Sequence, residues 1–333
     1  VADAFVERRA DFSGRRDVLA GGVEGGGTKF VCAVGTGPHD LERAEFQTGH
    51  EPSRVLAEAV GWLKGRERER GRLAGVGVGS FGPVDLRAGS ETYGHVTSTP
   101  KRGWAHTDVA GAFRRAFPGT PVGFETDVNA AALGESYWGR GRGLSDFVYI
   151  TLGTGIGAGV VSGGRLVRGL VHPEVGHMLL PRLPGDEFAG ACPYHGACWE
   201  GLCSGPAVLL RTGSPAETLA ADHDAWAALI HYTARALANL VFVLSPERII
   251  LGGSVRKAGR LGQEEFFGRV RAKTREALAG YISSPALSEE GVGDYVVPPG
   301  LGDDAGVCGA IALGQLAAAR ADERGTPTDE APR

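Results

Sequence analysis

Net charge, cysteine and unbroken apolar stretches are all scarce in this sequence. The formal net charge is only -4 over 333 residues. There is thus no bulk basic surface of the kind that neutralises a phosphate backbone, and nucleic acid is not an expected partner. The five cysteines, Cys32, Cys192, Cys198, Cys203 and Cys308, are an odd number with three crowded together. That is poor material for a secreted disulfide framework and fits a reducing compartment better. No stretch approaches the ~18 apolar residues of a membrane span. The opening "VADAFVERRADFSGRRDVLAGG" mixes acids with arginines and has no apolar core of a leader. The expectation is a cytoplasmic protein with no membrane partner.

What is present is ordinary for a soluble enzyme: 42% hydrophobic and 22% charged residues. A chain of this length suggests two lobes at roughly 100–200 residues each. Residues 1–21 and 321–333 are polar and aperiodic and are expected to be loose. Between them "GGVEGGGTKFVCAVGTG" reads as strand, glycine turn, strand, and "HEPSRVLAEAVGWLKGRERERG" as a helix. "LAGVGVGSFGPVDL" reads as a buried strand entering a glycine-proline loop. Val109, Phe113 and Phe117 form a helical stripe with Asp108 as its cap, and "PVGFETD" is a further strand.

A second cycle opens with "FVYITLGTGIGAGVVSGGRL", again strand, turn, strand. A long helix follows from about Ala225 to Leu244, then a strand "RIILGGS", a charged helix near residues 263–279, a strand "YVVPP" and a closing helix from Asp304. Strands alternating with helices predict an α/β fold of two related lobes. The expected division is a small lobe, 22–126, completed by a helix 304–320, and a large lobe, 127–303, interrupted by an insert at 172–205.

Three constellations carry chemistry. The two glycine hairpins, each with a threonine at the turn (Thr28, Thr154), could offer backbone N–H groups to a polyphosphate from two lobes, with "LGGS" at 251–254 suiting the nucleoside end. The pattern suits ATP. Neither loop meets the P-loop or dinucleotide fingerprint, and a tight turn is the plain alternative for each. Asp127 stands where a strand ends and an alanine-rich helix begins, which makes it either a helix cap or a general base at the lobe junction. In "ACPYHGACWEG", Cys192, His195 and Cys198 supply three ligands of a tetrahedral zinc site, and His177 in "HPEVGH" is the natural fourth. A free-thiol loop or a Cys192–Cys198 disulfide are the alternatives. A closed site of that kind would be structural, and it would hold Glu174 and Glu200 near each other, where carboxylates could accept from the vicinal hydroxyls of a sugar unless both are plain surface acids.

With these motifs in order, "VEGGGTKF", "ETDVNAAALGE", "TLGTGIGAG" and "HPEVGH" with "CPYHGACWEG", the chain resembles the ROK family of sugar kinases and regulators over roughly residues 22–320, and within it the zinc-containing bacterial fructokinase branch. The resemblance implies a two-lobe actin-like ATPase fold of ribonuclease-H-like topology, a hinge whose closure excludes water, Mg-ATP as co-substrate, a structural zinc and a homodimer. It assigns Asp127 as general base and Glu174, His177 and Glu200, with Gly82 of the glycine-proline loop, to the sugar. Gly26, Gly27, Thr28, Lys29, Thr154 and Gly155 fall to the phosphates, and Gly205, Pro206 and Gly253 to the nucleoside side. His177, Cys192, His195 and Cys198 become the zinc ligands, with Cys32, Cys203 and Cys308 uninvolved.

Many family members place cysteine at His195, and the family's glucokinases have asparagine at Thr126 and aspartate at Glu24. These departures favour fructose, with mannose as a further substrate, over glucose or N-acetylated amino sugars. Family repressors carry a winged helix-turn-helix ahead of the first glycine motif, and the ~21 residues here are too few for such modules. A sugar sensor without turnover would be expected to have lost Asp127.

Overall fold

The computed structural model describes residues 17–325, so the expectation of loose ends at 1–16 and 326–333 lies outside the described residues. Within them, β1 already begins at Ala20 and the closing helix, Ala305–Gly325, runs past residue 320. Its later turns are rich in alanine, arginine and glutamate, which propagate a helix well.

The chain forms two compact units, one reaching to Tyr137 and including the closing helix, the other Trp138–Asp303. The first contains β1 (Ala20–Gly25), β2 (Lys29–Gly35), β3 (Glu42–Gln47), α1 (Pro52–Arg70), β4 (Gly75–Ser80), α2 (Val109–Ala116), β5 (Val122–Thr126) and most of α3 (Asp127–Trp138). Its strand order is β3-β2-β1-β4-β5. β1 to β3 form an antiparallel meander, and β4 and β5 then add in parallel.

One face of this sheet buries Val23, Val76 and Val78 with Val55, Leu63 and Phe113 from α1 and α2. The other face is nearly bare backbone. A Cβ on Gly77 would lie 2.0 Å from the Ala310 carbonyl oxygen and 2.6 Å from the Gly314 nitrogen, and one on Gly22 would lie 2.8 Å from the Ile311 nitrogen. The closing helix therefore rests directly on the strands. α3 joins the same layer, because a Cβ on Gly309 would fall 1.6 Å from the Ala130 carbonyl oxygen. This packing is why α3 belongs to the first unit and the division falls after it, not at Asp127 as the strand end had suggested.

Gly77→Ala tests that contact. The obstructing atoms are backbone and cannot swing aside, so the variant should lose about 1–3 kcal/mol or more of stability. Urea denaturation would measure it, and an unchanged midpoint would contradict the close approach.

The second unit repeats the topology with β6 (Phe147–Leu152), β7 (Ile156–Ser162), β8 (Arg165–Leu166), α4 (Trp199–Cys203), α5 (Gly205–Thr212), α6 (Ala225–Leu244), β9 (Arg248–Gly252), α7 (Gln263–Leu278), α8 (Val292–Tyr295) and β10 (Val296–Val297). The strand order is β10-β9-β6-β7-β8, the same meander followed by two parallel strands when read from the β8 edge. Val148, Ile150 and Leu152 of β6 pack with Leu229, Leu237 and Phe266.

α6 is apolar and long enough to cross a membrane by length and composition. The reading of apolar runs had not anticipated this, since His231, Arg235 and Asn239 interrupt the run. Thirteen of its residues are nonetheless buried in the unit, Trp226, Leu229, Tyr232 and Leu237 among them, which is the pattern of a core helix.

Candidate functional site

In the first unit the turn between β1 and β2 is Gly26, Gly27 and Thr28, with Lys29 opening β2. The turn is closed by the Gly26 N–H donating to the Lys29 carbonyl at 2.9 Å. It is tied down from behind by Thr48, whose N–H donates to the Thr28 carbonyl at 3.0 Å and whose hydroxyl donates to the Gly26 carbonyl at 2.7 Å. Thr28 and Lys29 are exposed, and Lys29 pairs with Glu45 at 2.7 Å. Gly82 lies close in sequence to a bond that joins its loop to this turn, from the Phe81 N–H to the Gly25 carbonyl at 2.7 Å.

Asp127 opens α3 and is half-buried. It does not cap the helix in the usual way. The Thr126 hydroxyl does, accepting from the Asn129 N–H at 3.0 Å, whereas the Asp127 carboxylate turns to the nearest backbone, Oδ1 accepting from the adjacent Val128 N–H at 2.9 Å. Below it the buried Asn129 amide donates to the buried Glu125 carboxylate at 2.8 Å, bracing the strand-helix junction. That brace was not foreseen, although Glu125 and Asn129 flank Asp127 in "ETDVN".

Burial raises the Asp127 pKa to about 6, with the Val128 N–H working against it. Glu24, at the end of β1, is raised to about 8, by burial first and then by repulsion from Asp127. Its carboxyl rests against the first turn of the closing helix, where a Cβ on Gly306 would lie 2.2 Å from Glu24 Cδ. Glu24 holds its proton longer, so Asp127 ionises beside a neutral neighbour.

In the second unit Thr154 and Gly155 lie in the turn between β6 and β7, closed by the Gly153 N–H donating to the Gly155 carbonyl at 3.0 Å. Two elements grip this turn. Gly205, first residue of α5, donates its N–H to the Gly153 carbonyl at 2.7 Å, and Glu200 Oε2 accepts from the Ile156 N–H at 2.8 Å. Pro206 follows in the first turn of α5, where a missing N–H costs nothing. Gly253 approaches the same strand end: its φ is 83°, and a Cβ there would sit 2.4 Å from the Leu152 nitrogen. Thr154, Gly155, Gly205, Pro206 and Gly253 are thus brought to one end of the second sheet.

The cysteine-bearing segment folds as a knot beside this turn. Cys192 and Gly196 exchange backbone bonds at 3.2 and 2.9 Å, Ala191 donates to the Gly201 carbonyl at 2.8 Å, and Trp199 donates to the Met178 carbonyl at 2.9 Å. The ligand atoms of His177, Cys192, His195 and Cys198 come within 4.8 Å of one another. Cys192 Sγ lies 3.8 Å from His177 Nδ1 and 3.7 Å from His195 Nδ1, and Cys198 Sγ lies 3.6 Å from His177 Nδ1. These separations match the edges of a tetrahedron with arms of about 2.0–2.3 Å, the zinc–nitrogen and zinc–sulfur bond lengths. The donor set fits zinc. All five cysteines are free thiols, which removes the disulfide alternative in this structure, and Cys32, Cys203 and Cys308 are buried elsewhere. Glu174 precedes the short turn Val175–His177, with the buried His172 ring at 3.4 Å.

Two units of one topology, each with a glycine turn in its first hairpin, form the actin-like ATPase fold, and solved sugar kinases share it. A ROK hexokinase from Thermus thermophilus is 28% identical with a TM-score of 0.69, covering 90% of this chain and 98% of that one. A ROK family glucokinase from Streptomyces griseus, solved with glucose and AMPPNP, is 26% identical with a TM-score of 0.69, covering 89% and 99%. The chain belongs to the ROK family, whose match spans residues 20–316. The fructokinase of Pediococcus pentosaceus is 38% identical over 301 residues, covering 90% of this chain and 99% of that protein. That of Zymomonas mobilis is 38% identical over 299 residues, covering 89% and 96%. The protein is a hexose kinase of this family.

Proposed function

We propose that the enzyme transfers the γ-phosphoryl group of Mg-ATP to the terminal 6-hydroxyl of fructose, and also accepts mannose. Fructokinases at 36–42% identity over most of the chain support fructose. The glucokinase solved with its sugar is more distant, at 26%. The observation that carries the catalytic reading is that Thr126, not Asp127, caps α3. A carboxylate relieved of capping, held by adjacent backbone N–H groups and half-buried, can take the proton of a sugar hydroxyl. A bound magnesium would offset charge on the transferring phosphates.

In this reading Gly26, Gly27, Thr28, Lys29, Thr154 and Gly155 face the phosphates, Gly205, Pro206 and Gly253 the nucleoside side, and Glu174, His177, Glu200 and Gly82 the sugar. His177, Cys192, His195 and Cys198 would hold a structural zinc whose full coordination leaves no open position for catalysis. Action in the cytoplasm as a homodimer, with no nucleic-acid or membrane partner, rests on the resemblance and composition alone.

A coupled ADP-release assay against fructose, mannose, glucose and N-acetylmannosamine tests the substrate. Fructose should give the highest kcat/KM. Turnover of glucose or N-acetylmannosamine at least about tenfold more efficient, a transition-state preference of about 1.4 kcal/mol or more, would overturn the fructose assignment in favour of a glucose or amino-sugar kinase.

A further inference from the structure

The carboxylate of Glu200 has two oxygens, and one is already engaged within the protein. Oε2 accepts from the Ile156 N–H at 2.8 Å, and a Cβ on Gly155 would come within 2.8 Å of that same oxygen. Glu200 therefore closes over the turn that carries Thr154 and Gly155. It stands on α4, which ends at Ser204, and Ser204 also caps α5 by accepting from the Ala207 N–H at 3.4 Å. The next residue, Gly205, holds the other end of the turn through the Gly153 carbonyl at 2.7 Å. Trp199, Leu202 and Cys203 are fully buried, so α4 and α5 form one stiff elbow that grips the turn at both ends.

We propose that Glu200 couples the two substrate sites: a sugar hydroxyl donating to its remaining oxygen fixes the carboxylate on the Ile156 N–H and so sets the Thr154–Gly155 turn for the nucleotide phosphates. The proposal rests on the reading of Glu200 as a sugar contact and assigns it a second, positioning role through the turn. A carboxylate suits both tasks, since each oxygen accepts independently. The coupling is reciprocal by thermodynamic necessity, so nucleotide must tighten sugar by the same factor.

Calorimetry on the full chain with fructose and AMPPNP, each titrated with and without the other, measures the factor. In the unsubstituted enzyme each ligand should tighten the other by at least about fivefold. Glu200→Asp keeps a carboxylate near the sugar but is one methylene too short to reach Ile156. Gly155→Ala displaces the Glu200 carboxyl from the side of the turn. In both variants the factor should fall well below about fivefold, the lower end of typical couplings. Fructose alone should slow hydrogen exchange of the Ile156 amide in the unsubstituted enzyme and not in Glu200→Asp. Absence of coupling in the unsubstituted enzyme, or its persistence in both variants, would overturn the proposal. If Glu200→Gln left fructose affinity without nucleotide unchanged, the sugar-contact reading would fail first and the coupling with it. Thermal unfolding of each variant separates these results from loss of fold.

Discussion

Asp127→Asn is expected to lower kcat by about 10²–10⁴, the usual contribution of a positioned general base. The fold should survive, because the α3 cap is the Thr126 hydroxyl and asparagine retains an oxygen to accept from Val128. Dissociation constants for fructose and AMPPNP should move little, which places the loss in the transition state. The pH profile gives an independent check. Burial raises Asp127 to about 6, and the base acts only when ionised, so kcat should fall as pH drops through that region. The acid limb should vanish in Asp127→Asn. A fall in kcat of less than about tenfold would be too small for a general base, and the role would pass to Glu24 or Glu174.

Cys198→Ser is expected to abolish stoichiometric zinc. Protein purified without chelator should carry one zinc per chain by elemental analysis, and the variant almost none. Even disturbing the surroundings of a zinc ligand costs about 10–100-fold in metal affinity, and removing a thiolate costs more. Cys198 stands directly before α4, where its sulfur accepts from the Gly201 N–H at 3.5 Å; serine can keep that cap, so what the variant removes is the metal's hold on the helix that bears Glu200. Fructose affinity should weaken more than the affinity for AMPPNP measured alone. Chelation of the unsubstituted enzyme should reproduce the effect and lower Tm, since metal binding contributes to folding. Unsubstituted protein without zinc would contradict the site.

Much of the fold was legible because its signals are local. Both hairpins carry glycine turns between apolar runs, Asp108 caps α2 by accepting from Gly111 at 2.8 Å, and α6 occupies the predicted span before Pro246. β3 was not foreseen. It is an edge strand whose "ERAEFQ" half-buries only Ala44 and Phe46 between exposed Arg43, Glu45 and Gln47, an alternation of two apolar residues that is too short to stand out among so many charges. The cluster of Cys192, His195 and Cys198 showed itself by x2 spacing, but the Ser204 joint between α4 and α5 did not, because its meaning lies in the turn that it and Gly205 hold across the chain. Which oxygen caps α3 was not legible either, because Thr126 and Asp127 both offer one to the Asn129 N–H and only the fold shows that Thr126 accepts.

The bare glycine face of the first sheet also has a consequence for the order of synthesis. The strands that carry it, β1, β4 and β5, leave the ribosome early, whereas the closing helix that covers them is made only after the whole of Trp138–Asp303. Domains generally fold as they emerge, N-terminal ones first. Here the first unit stays unfinished while the second is being made, and the later-made half can be complete before the earlier one. The nascent chain must wait with a sheet whose uncovered side is peptide backbone, sealed only when a helix rich in glycine and alanine arrives to lie against it.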